Sequence, residues 1–291
     1  DVSHDSPSGD GILEGKGGAL VLDCMSEEDY FQDSPLKPAQ VKQCLAAAAR
    51  LHAAAWEDEP LLTSARDRLS RGAYNLEMRD PKELKGLVAG WENFCDNFRD
   101  QAPELFARES VQRLGQRVYD LADTISRTVT PDPADPYATI VHGDYKAMNV
   151  FIPKDESKDA VMIDFASTGV GLGMSDVAYH VYHALWPEEI DEDDLLDSYL
   201  KALQTYRLQT DPKAEPYPRD IAFRHFRYAV VDYFRFFLGR FWCTASVESL
   251  EKKKDAINVN LINREVGPAM AFVATVDKFL TQIEEELEQG T

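Results

Sequence analysis

The stretch from residue 140 to residue 165 constrains the fold of this chain more than any other part of the sequence. It holds two short apolar runs, one around Ile140 and one over 161–165, with the polar turn 153–159 between them. Short apolar runs bounded by turn residues are typical of buried strands. We therefore predict two short strands and a small β-hairpin that brings the polar side chains of the stretch together.

Four polar residues of this stretch match the requirements of phosphoryl transfer, which depends mainly on positioning and on neutralising charge. Asp144 closely follows the first apolar run, and we assign it as the base that accepts the proton of an attacking hydroxyl. Asn149 and Asp164 offer the oxygen ligands that Mg²⁺ prefers. Lys146 is assigned to neutralise charge on the transferred group. The pattern predicts ATP and Mg²⁺ as cofactors and a small-molecule hydroxyl as acceptor.

Any one of these residues also has a simpler interpretation. His-Gly-Asp at 142–144 is typical of a turn, Asn149 suits a turn as well, and Asp164 is ordinary at a strand end. The joint pattern H-G-D-x-K-x-x-N, followed by a hairpin-length gap and an apolar-Asp-Phe triplet, is much rarer and favours the functional interpretation. His142 is expected to brace the loop by packing and hydrogen bonding, not to titrate in the reaction.

This pattern resembles the catalytic core of the aminoglycoside phosphotransferase and choline kinase-like group, and within it the ecdysteroid kinase-like family. The H-G-D-x-x-x-x-N motif of the group is matched by residues 142–149, and the Asp of its second metal motif by Asp164. The D-x-K-x-x-N spacing is also similar to that of eukaryotic protein kinases. The resemblance spans residues 18–290, although only 140–180 is specific.

Two further stretches are similar to this group. Its loop acid ahead of a helix is matched by Asp176, in the sequence SDVAY. The resemblance implies that Asp176 caps that helix and ties down the catalytic loop, and an Asp at a helix start would act as a cap on general grounds. The helix end around His52 is similar as well, with His52 as a structural residue.

The resemblance implies an α+β chain with a protein-kinase-like fold. This would be mainly the helical C-terminal lobe, with a small catalytic β-hairpin and a remnant of the N-terminal lobe sheet. Residues 1–25 would then form the remnant and the hinge, and residues 26–291 the helical lobe with its catalytic loop at 140–165. The hinge backbone that meets adenine is assigned to Leu22, Asp23, Cys24 and Met25.

The sequence departs from the kinase pattern ahead of this hinge. No glycine-rich strand-loop-strand with a phosphate-gripping Lys precedes Gly18, and Lys16 lies too close to the predicted hinge strand to replace it. The chain is expected to lack most of the N-terminal lobe, and alone to bind ATP poorly and turn over slowly or not at all.

Two other function classes compete with the phosphotransferase. A catalytically silent kinase-like binding or regulatory module would explain the missing lobe, but it has no need of Asp144, Asn149 and Asp164 together. A protein kinase is disfavoured because the segment between Phe165 and Asp176 is too short for the usual activation segment.

The amino-acid composition limits the classes of partner that the protein can bind. The 291 residues are 44% hydrophobic and 28% charged, which is typical of a soluble globular protein. The net charge of -20 argues against nucleic acid, which requires clustered Lys and Arg, and weakly against anionic membrane surfaces. No apolar run approaches the ~20 residues of a membrane span. Oligomeric state and targeting are not readable from the sequence.

The cysteine pattern predicts buried free thiols in a reducing, cytoplasmic setting. The four cysteines form no C-x-x-C pair, which argues against a metal site. They are Cys24, Cys44, Cys95 and Cys243.

The rest of the pattern is mainly helical. A strand is predicted at 18–22, a connector over 23–37, and a loop at 169–173 that leads into a helix. Helices are predicted at 38–56, 61–71, 81–99, 102–128, 175–185, 191–207, 218–243 and 262–288.

Two features on the side that the resemblance implies for the acceptor have alternative interpretations. The acid run 188–194 is either a solvated helix start, which we favour, or a negative rim that attracts an amine. An aromatic stripe is either core, which we favour, or a set of ring faces for a quaternary ammonium or a flat alcohol. Choline-like amines, aminoglycoside-like sugars, sterols and other alcohols remain open as acceptors. The stripe consists of Tyr228, Tyr233, Phe234, Phe237, Phe241 and Trp242.

Overall fold

Helices dominate the computed structural model, which describes residues 23–70, 72, 74–155 and 157–289. The predicted strand at 18–22 and Lys16 lie outside the described residues. The α-helices of the described ranges are α1 (Pro38–Ala54), α2 (Glu59–Arg68), α3 (Pro81–Lys85), α4 (Leu87–Phe98), α5 (Pro103–Phe106), α6 (Glu109–Gln112), α7 (Leu114–Val129), α8 (Gly173–Ala184), α9 (Glu192–Thr210), α10 (Arg219–Arg240), α11 (Val247–Glu251) and α12 (Val266–Gln289).

Helix α1 shows how the sequence sets these elements. Pro38 occupies the first turn, where its missing N–H costs nothing, and the side chain of Gln40 accepts the backbone N–H of Lys37. Val41 and Leu45, four residues apart, are fully buried on one face. That face packs against α8 and α9. The helix begins where it was predicted and ends two residues earlier.

Two predicted helices are broken into shorter ones. The helix predicted over 81–99 is interrupted at Gly86, which closes α3 and opens α4. The helix predicted over 102–128 is divided into α5, α6 and α7, with breaks after Phe106 and at Arg113. Periodicity did not reveal these breaks, because apolar spacing continues across interruptions of one or two residues. Helix α11 was not predicted at all.

Within the part of the chain that the structure describes, five short strands form two small antiparallel sheets. They are β1 (Tyr30–Phe31), β2 (Ala138–Val141), β3 (Val150–Pro153), β4 (Val161–Met162) and β5 (Gly169–Leu172), in the orders β1-β3-β4 and β2-β5. The chain is thus α+β and mainly helical, as predicted.

The small hairpin exists, but its strands are not the two that were predicted. Strand β4 pairs with β3, opposing Met162 to Val150, whereas the strand around Ile140 pairs with β5 in the other sheet. The predicted loop at 169–173 contains β5, whose glycines allow close pairing with β2. β1 lies inside the predicted connector and pairs with β3.

The aromatic stripe is core, as favoured, although α10 ends at Arg240, and Phe241 and Trp242 lie beyond the helix. Its residues are buried except Phe241, which is 40% exposed. Two charged residues of α10, Asp232 and Arg235, are also buried. They form an ion pair at 2.7 Å, and both side chains are almost inaccessible to solvent. Arg235 also donates to the backbone oxygen of Tyr74.

Acidic residues of the run 188–194 form hydrogen bonds and ion pairs within the protein. Asp191 caps α9 by accepting the N–H of Asp194 at 3.0 Å. Asp194 pairs with Lys42, and Glu192 accepts the hydroxyl of Tyr182. These contacts agree with the favoured interpretation of a helix start.

The four cysteines are free thiols, but their burial differs. Cys44 and Cys95 are buried, whereas Cys24 is exposed and Cys243 is half-buried. The prediction of uniformly buried thiols is therefore wrong for Cys24. Among the described residues, no helix combines the length and the apolar character that a membrane crossing requires.

Candidate active site

Asp144 lies in the loop between β2 and β3, and both of its carboxylate oxygens have polar partners. Oδ1 accepts the hydroxyl of Tyr179 at 2.9 Å. Oδ2 lies 3.2 Å from the side-chain nitrogen of Asn149 and 3.3 Å from the ammonium of Lys146. The Asp144 side chain remains 21% exposed. Three donors thus hold a carboxylate that solvent can still reach.

Asn149 is brought back onto Asp144 by a 3₁₀ turn over Ala147–Asn149. Its side-chain nitrogen donates to the backbone oxygen of Asp144 at 2.8 Å as well as to the carboxylate. Within the described ranges no group donates to Asn149 Oδ1. The buried amide therefore turns its donors towards Asp144 and keeps its oxygen available as a ligand.

His142 connects the loop to the end of β4. Its Nδ1 accepts the backbone N–H of Asp144 at 3.3 Å, so the ring proton is on Nε2, which donates to the Ile163 carbonyl at 2.8 Å. The buried ring also lies against Phe165, with centroids 5.0 Å apart. His142 is thus engaged through both ring nitrogens.

Asp176 fixes the backbone that leads into Asp144. It is fully buried in α8, and its two oxygens accept the N–H groups of His142 and Gly143 at 2.6 and 2.9 Å. His52 Nε2 lies 3.1 Å from the same carboxylate, and His52 Nδ1 lies 2.8 Å from the Tyr199 hydroxyl. Burial acts to raise the pKa of Asp176, but the His52, His142 and Gly143 contacts outweigh it and lower the pKa.

The expectation that Asp176 caps its helix is wrong. Helix α8 begins at Gly173, Leu172 occupies the cap position, and no side chain caps the helix there. The helix starts earlier than predicted because β5 leads directly into it. The carboxylate of Asp176 serves the loop amides instead, and its place in the first turn still suits the helix dipole.

Gly143 is required by the shape of this loop. Its φ is +79°, which L side chains rarely adopt, and a Cβ here would lie 2.2 Å from the Ser167 carbonyl oxygen. The same carbonyl accepts the N–H of Gly72 at 3.0 Å. The close approach of three backbone segments leaves room for glycine only.

Asp164 follows β4 in a left-handed conformation, with φ 64° and ψ 64°. This conformation is uncommon outside glycine and is enriched at functional sites. It ends β4 earlier than the predicted 161–165. The preceding residue, Ile163, donates its N–H to the Asn149 carbonyl at 2.9 Å, so Asp164 lies one residue beyond a direct link to Asn149. Asp164 is exposed, and no described residue pairs with its carboxylate.

The oxygen atoms of Asp164 and Asn149 suit a magnesium ion that also binds phosphate oxygens. Mg²⁺ in phosphoryl-transfer sites usually takes one or two carboxylates and leaves other positions to phosphate and water. Asp164 and Asn149 Oδ1 supply one carboxylate and one amide oxygen with no protein partner in the described ranges. A larger all-protein cluster of three His, Cys, Asp or Glu side chains is not found among the described residues.

The predicted hinge leads into the sheet of the site. Asp23, Cys24 and Met25 are irregular and mostly exposed, and Leu22 lies outside the described residues. Downstream, Gln32 Nε2 donates to the Met148 carbonyl at 2.5 Å. The segment after the predicted hinge therefore runs beside the loop that carries Asp144.

Sequence reasoning missed Tyr179, the residue that binds Asp144 Oδ1. A signal was present, because Tyr179 ends the SDVAY sequence three residues after Asp176, and residues at this spacing share a helix face. The hydroxyl partner could not be inferred, because the two residues are 35 positions apart.

The sequence matches the model of the ecdysteroid kinase-like family over residues 13–210. This range covers more than half of the chain and includes every residue of the loop described above. The chain belongs to the ecdysteroid kinase-like family, as the motifs predicted.

Two solved structures are similar to the chain at low identity. One is a protein from Ralstonia eutropha JMP134 assigned to the aminoglycoside phosphotransferases, with 14% identity, a TM-score of 0.41, and coverage of 87% of this chain and 70% of that one. The other is choline kinase from Cryptosporidium parvum Iowa II, with 13% identity, a TM-score of 0.38, and coverage of 89% and 71%. No curated protein matches the sequence.

Proposed function

We propose that this protein transfers a phosphoryl group from Mg²⁺-ATP to a hydroxyl of a small molecule. The observation that carries the proposal is the arrangement around Asp144. Its carboxylate contacts Asn149 and Lys146, and Asp164 directly follows Ile163, whose N–H donates to the Asn149 carbonyl. Membership of a kinase-like family supports the same chemistry.

Each residue has a role that its contacts support. Asp144 is the base that orients the acceptor hydroxyl and takes its proton, since it is a fixed and accessible carboxylate. Lys146 places a positive charge beside that carboxylate, where negative charge develops on the transferred group. Asn149 and Asp164 would hold Mg²⁺, and the bound ion would neutralise the phosphate oxygens.

Other residues near Asp144 have supporting roles. His142 and Asp176 bind loop backbone and do not enter the chemistry. Met25 and the preceding residues would meet the adenine, with residues 1–25 as the end of the nucleotide lobe and 26–291 as the helical lobe. The proposed acceptor is a small alcohol.

Because this chain alone is expected to bind ATP poorly, the test is a transfer assay on a version extended at its N-terminus. It uses radiolabelled ATP, Mg²⁺ and a panel of alcohols that includes choline, an aminoglycoside and a hydroxysteroid. Asp144→Ala should lower kcat by about 10²- to 10⁴-fold, the usual contribution of a general base. Binding of Mg²⁺-ATP, followed by calorimetry, should be nearly unchanged.

Asp164→Ala provides the complementary measurement, because it should remove the Mg²⁺-dependent part of ATP binding. An Asp144→Ala variant with near-normal kcat would overturn the assignment of the base. Retained ATP binding without transfer to any alcohol would instead support the silent binding module.

A further inference from the structure

Tyr179 reaches the candidate base from beneath the loop. It lies in α8, three residues after Asp176, and is 6% exposed. Its hydroxyl donates to Asp144 Oδ1 at 2.9 Å. The same helix thus holds the loop backbone through Asp176 and the side chain of Asp144 through Tyr179.

The two oxygens of Asp144 are held from different sides. Oδ1 is bound by the buried Tyr179, whereas Oδ2 lies beside Lys146, whose side chain is 29% exposed. Oδ2 also lies 3.2 Å from the buried Asn149, so Lys146 is the partner of Asp144 on the accessible side. A carboxylate with only one of these contacts could rotate about its Cβ–Cγ bond, because that torsion is broad.

We propose that Tyr179 is a positioning residue of the transferase site, whose hydroxyl holds the Asp144 carboxylate so that Oδ2 faces the acceptor. The inference rests on the proposed function for its catalytic consequence, but the geometric part stands on the contacts alone. Reacting groups must be placed within a fraction of an ångström, so loss of this contact should reduce turnover.

Tyr179 is itself held rigidly by aromatic neighbours. Its ring lies 4.7 Å from that of Tyr233 and 5.8 Å from that of Tyr74, which it meets edge-to-face. The Tyr74 hydroxyl is in turn fixed on the Ser175 carbonyl at 3.0 Å. Burial and the nearby Asp144 carboxylate raise the pKa of Tyr179 well above its ordinary value, so the hydroxyl remains a donor.

Tyr182 is a matched control on the same helix. It is 3% exposed, and its hydroxyl donates to a carboxylate, that of Glu192, at the same distance of 2.9 Å. Its pKa is likewise raised well above the ordinary value, first of all by burial. Tyr182→Phe and Tyr179→Phe therefore each remove one buried tyrosine–carboxylate hydrogen bond, but only the second touches Asp144.

The experiment compares these two variants with the unmodified protein. In the transfer assay, Tyr179→Phe should lower kcat by about 10- to 100-fold while the KM for Mg²⁺-ATP stays within about twofold. Tyr182→Phe should leave both parameters within about twofold. A general loss of stability would affect both variants alike and would not separate kcat from KM.

Crystal structures of both variants give a reading that does not depend on activity. The Asp144 carboxylate should turn away from its original orientation in Tyr179→Phe and keep it in Tyr182→Phe. An unmoved Asp144 in Tyr179→Phe would overturn the inference, whatever the kinetics show. A rotated carboxylate with unchanged kcat would also overturn it.

Failure of the proposed function is distinguishable from failure of this inference. If the protein extended at its N-terminus, with no substitution, transfers no phosphate, the proposed function fails. The orientation of Asp144 in the two structures then still decides whether Tyr179 positions it.

Discussion

The two acids assigned to the reaction lie in contrasting surroundings. Asp144 is held by three side chains, and its loop is bound to a buried carboxylate in α8. Asp164 lies exposed after β4, in a left-handed conformation and with no partner among the described residues.

The contrast follows from what each role requires. A base that must meet an acceptor hydroxyl benefits from an orientation fixed in advance by the protein. A carboxylate that binds a cation is completed only when the cation arrives, and unsatisfied oxygens are then an advantage. The loop around Asp144 should therefore govern stability, whereas Asp164 should matter for ligand binding alone.

The largest effect on stability is expected when the carboxylate beneath the loop is removed. Asp176→Ala leaves two buried N–H groups and His52 without their acceptor, which should lower the free energy of unfolding by about 3–5 kcal/mol. Urea denaturation followed by circular dichroism measures this directly. A loss below about 1 kcal/mol would show that the loop does not depend on α8.

A smaller decrease in the free energy of unfolding is expected when the pH is lowered, because His180 is buried under the same loop. His180 is buried with its Nδ1 3.1 Å from the Tyr145 carbonyl, and burial lowers its pKa from 6.5 to about 4. As the pH falls below 6.5 the unfolded chain binds a proton at this position, whereas the folded chain does not until about pH 4. The free energy of unfolding should fall over this window by about 3 kcal/mol for this residue.

The measurement for His180 is a series of urea denaturations between pH 7 and pH 4. His180→Gln, which retains a donor for the Tyr145 carbonyl, should flatten the dependence on pH. An equally steep dependence in the variant would assign the acid sensitivity to other groups, such as His183, whose pKa burial also lowers.

The smallest effect on stability is expected when Asp164, the second of the two acids compared above, is replaced. Asp164→Ala removes an exposed side chain without a described partner, so the free energy of unfolding should change by less than about 0.5 kcal/mol. The same urea titration used for Asp176→Ala measures it. A loss of 2 kcal/mol or more would mean that Asp164 supports the fold, and the contrast between the two acids would disappear.

The sequence pattern predicted which polar side chains lie together in the loop, but it predicted their contacts with distant residues less well. Asp144, Asn149 and Lys146 were recognisable because they lie within six residues, and the turn of the chain brings them together. Tyr179 was missed, and Asp176 was assigned a helix cap that it does not form. Both depend on α8 packing under a loop some 35 residues earlier, a contact that local patterns do not specify.

Local patterning by itself determined the mainly helical content, the start of α1, the buried aromatic face of α10 and the motif that marks the family. These features arise from interactions between residues a few positions apart, such as helix periodicity, proline placement and turn chemistry. Tertiary structure alone decided that β4 pairs with β3 and β2 with β5, and that His52, Asp176 and Tyr179 converge on one loop. Those outcomes depend on which buried donors and acceptors can satisfy one another across the folded chain, a constraint that exists only once distant segments are packed together.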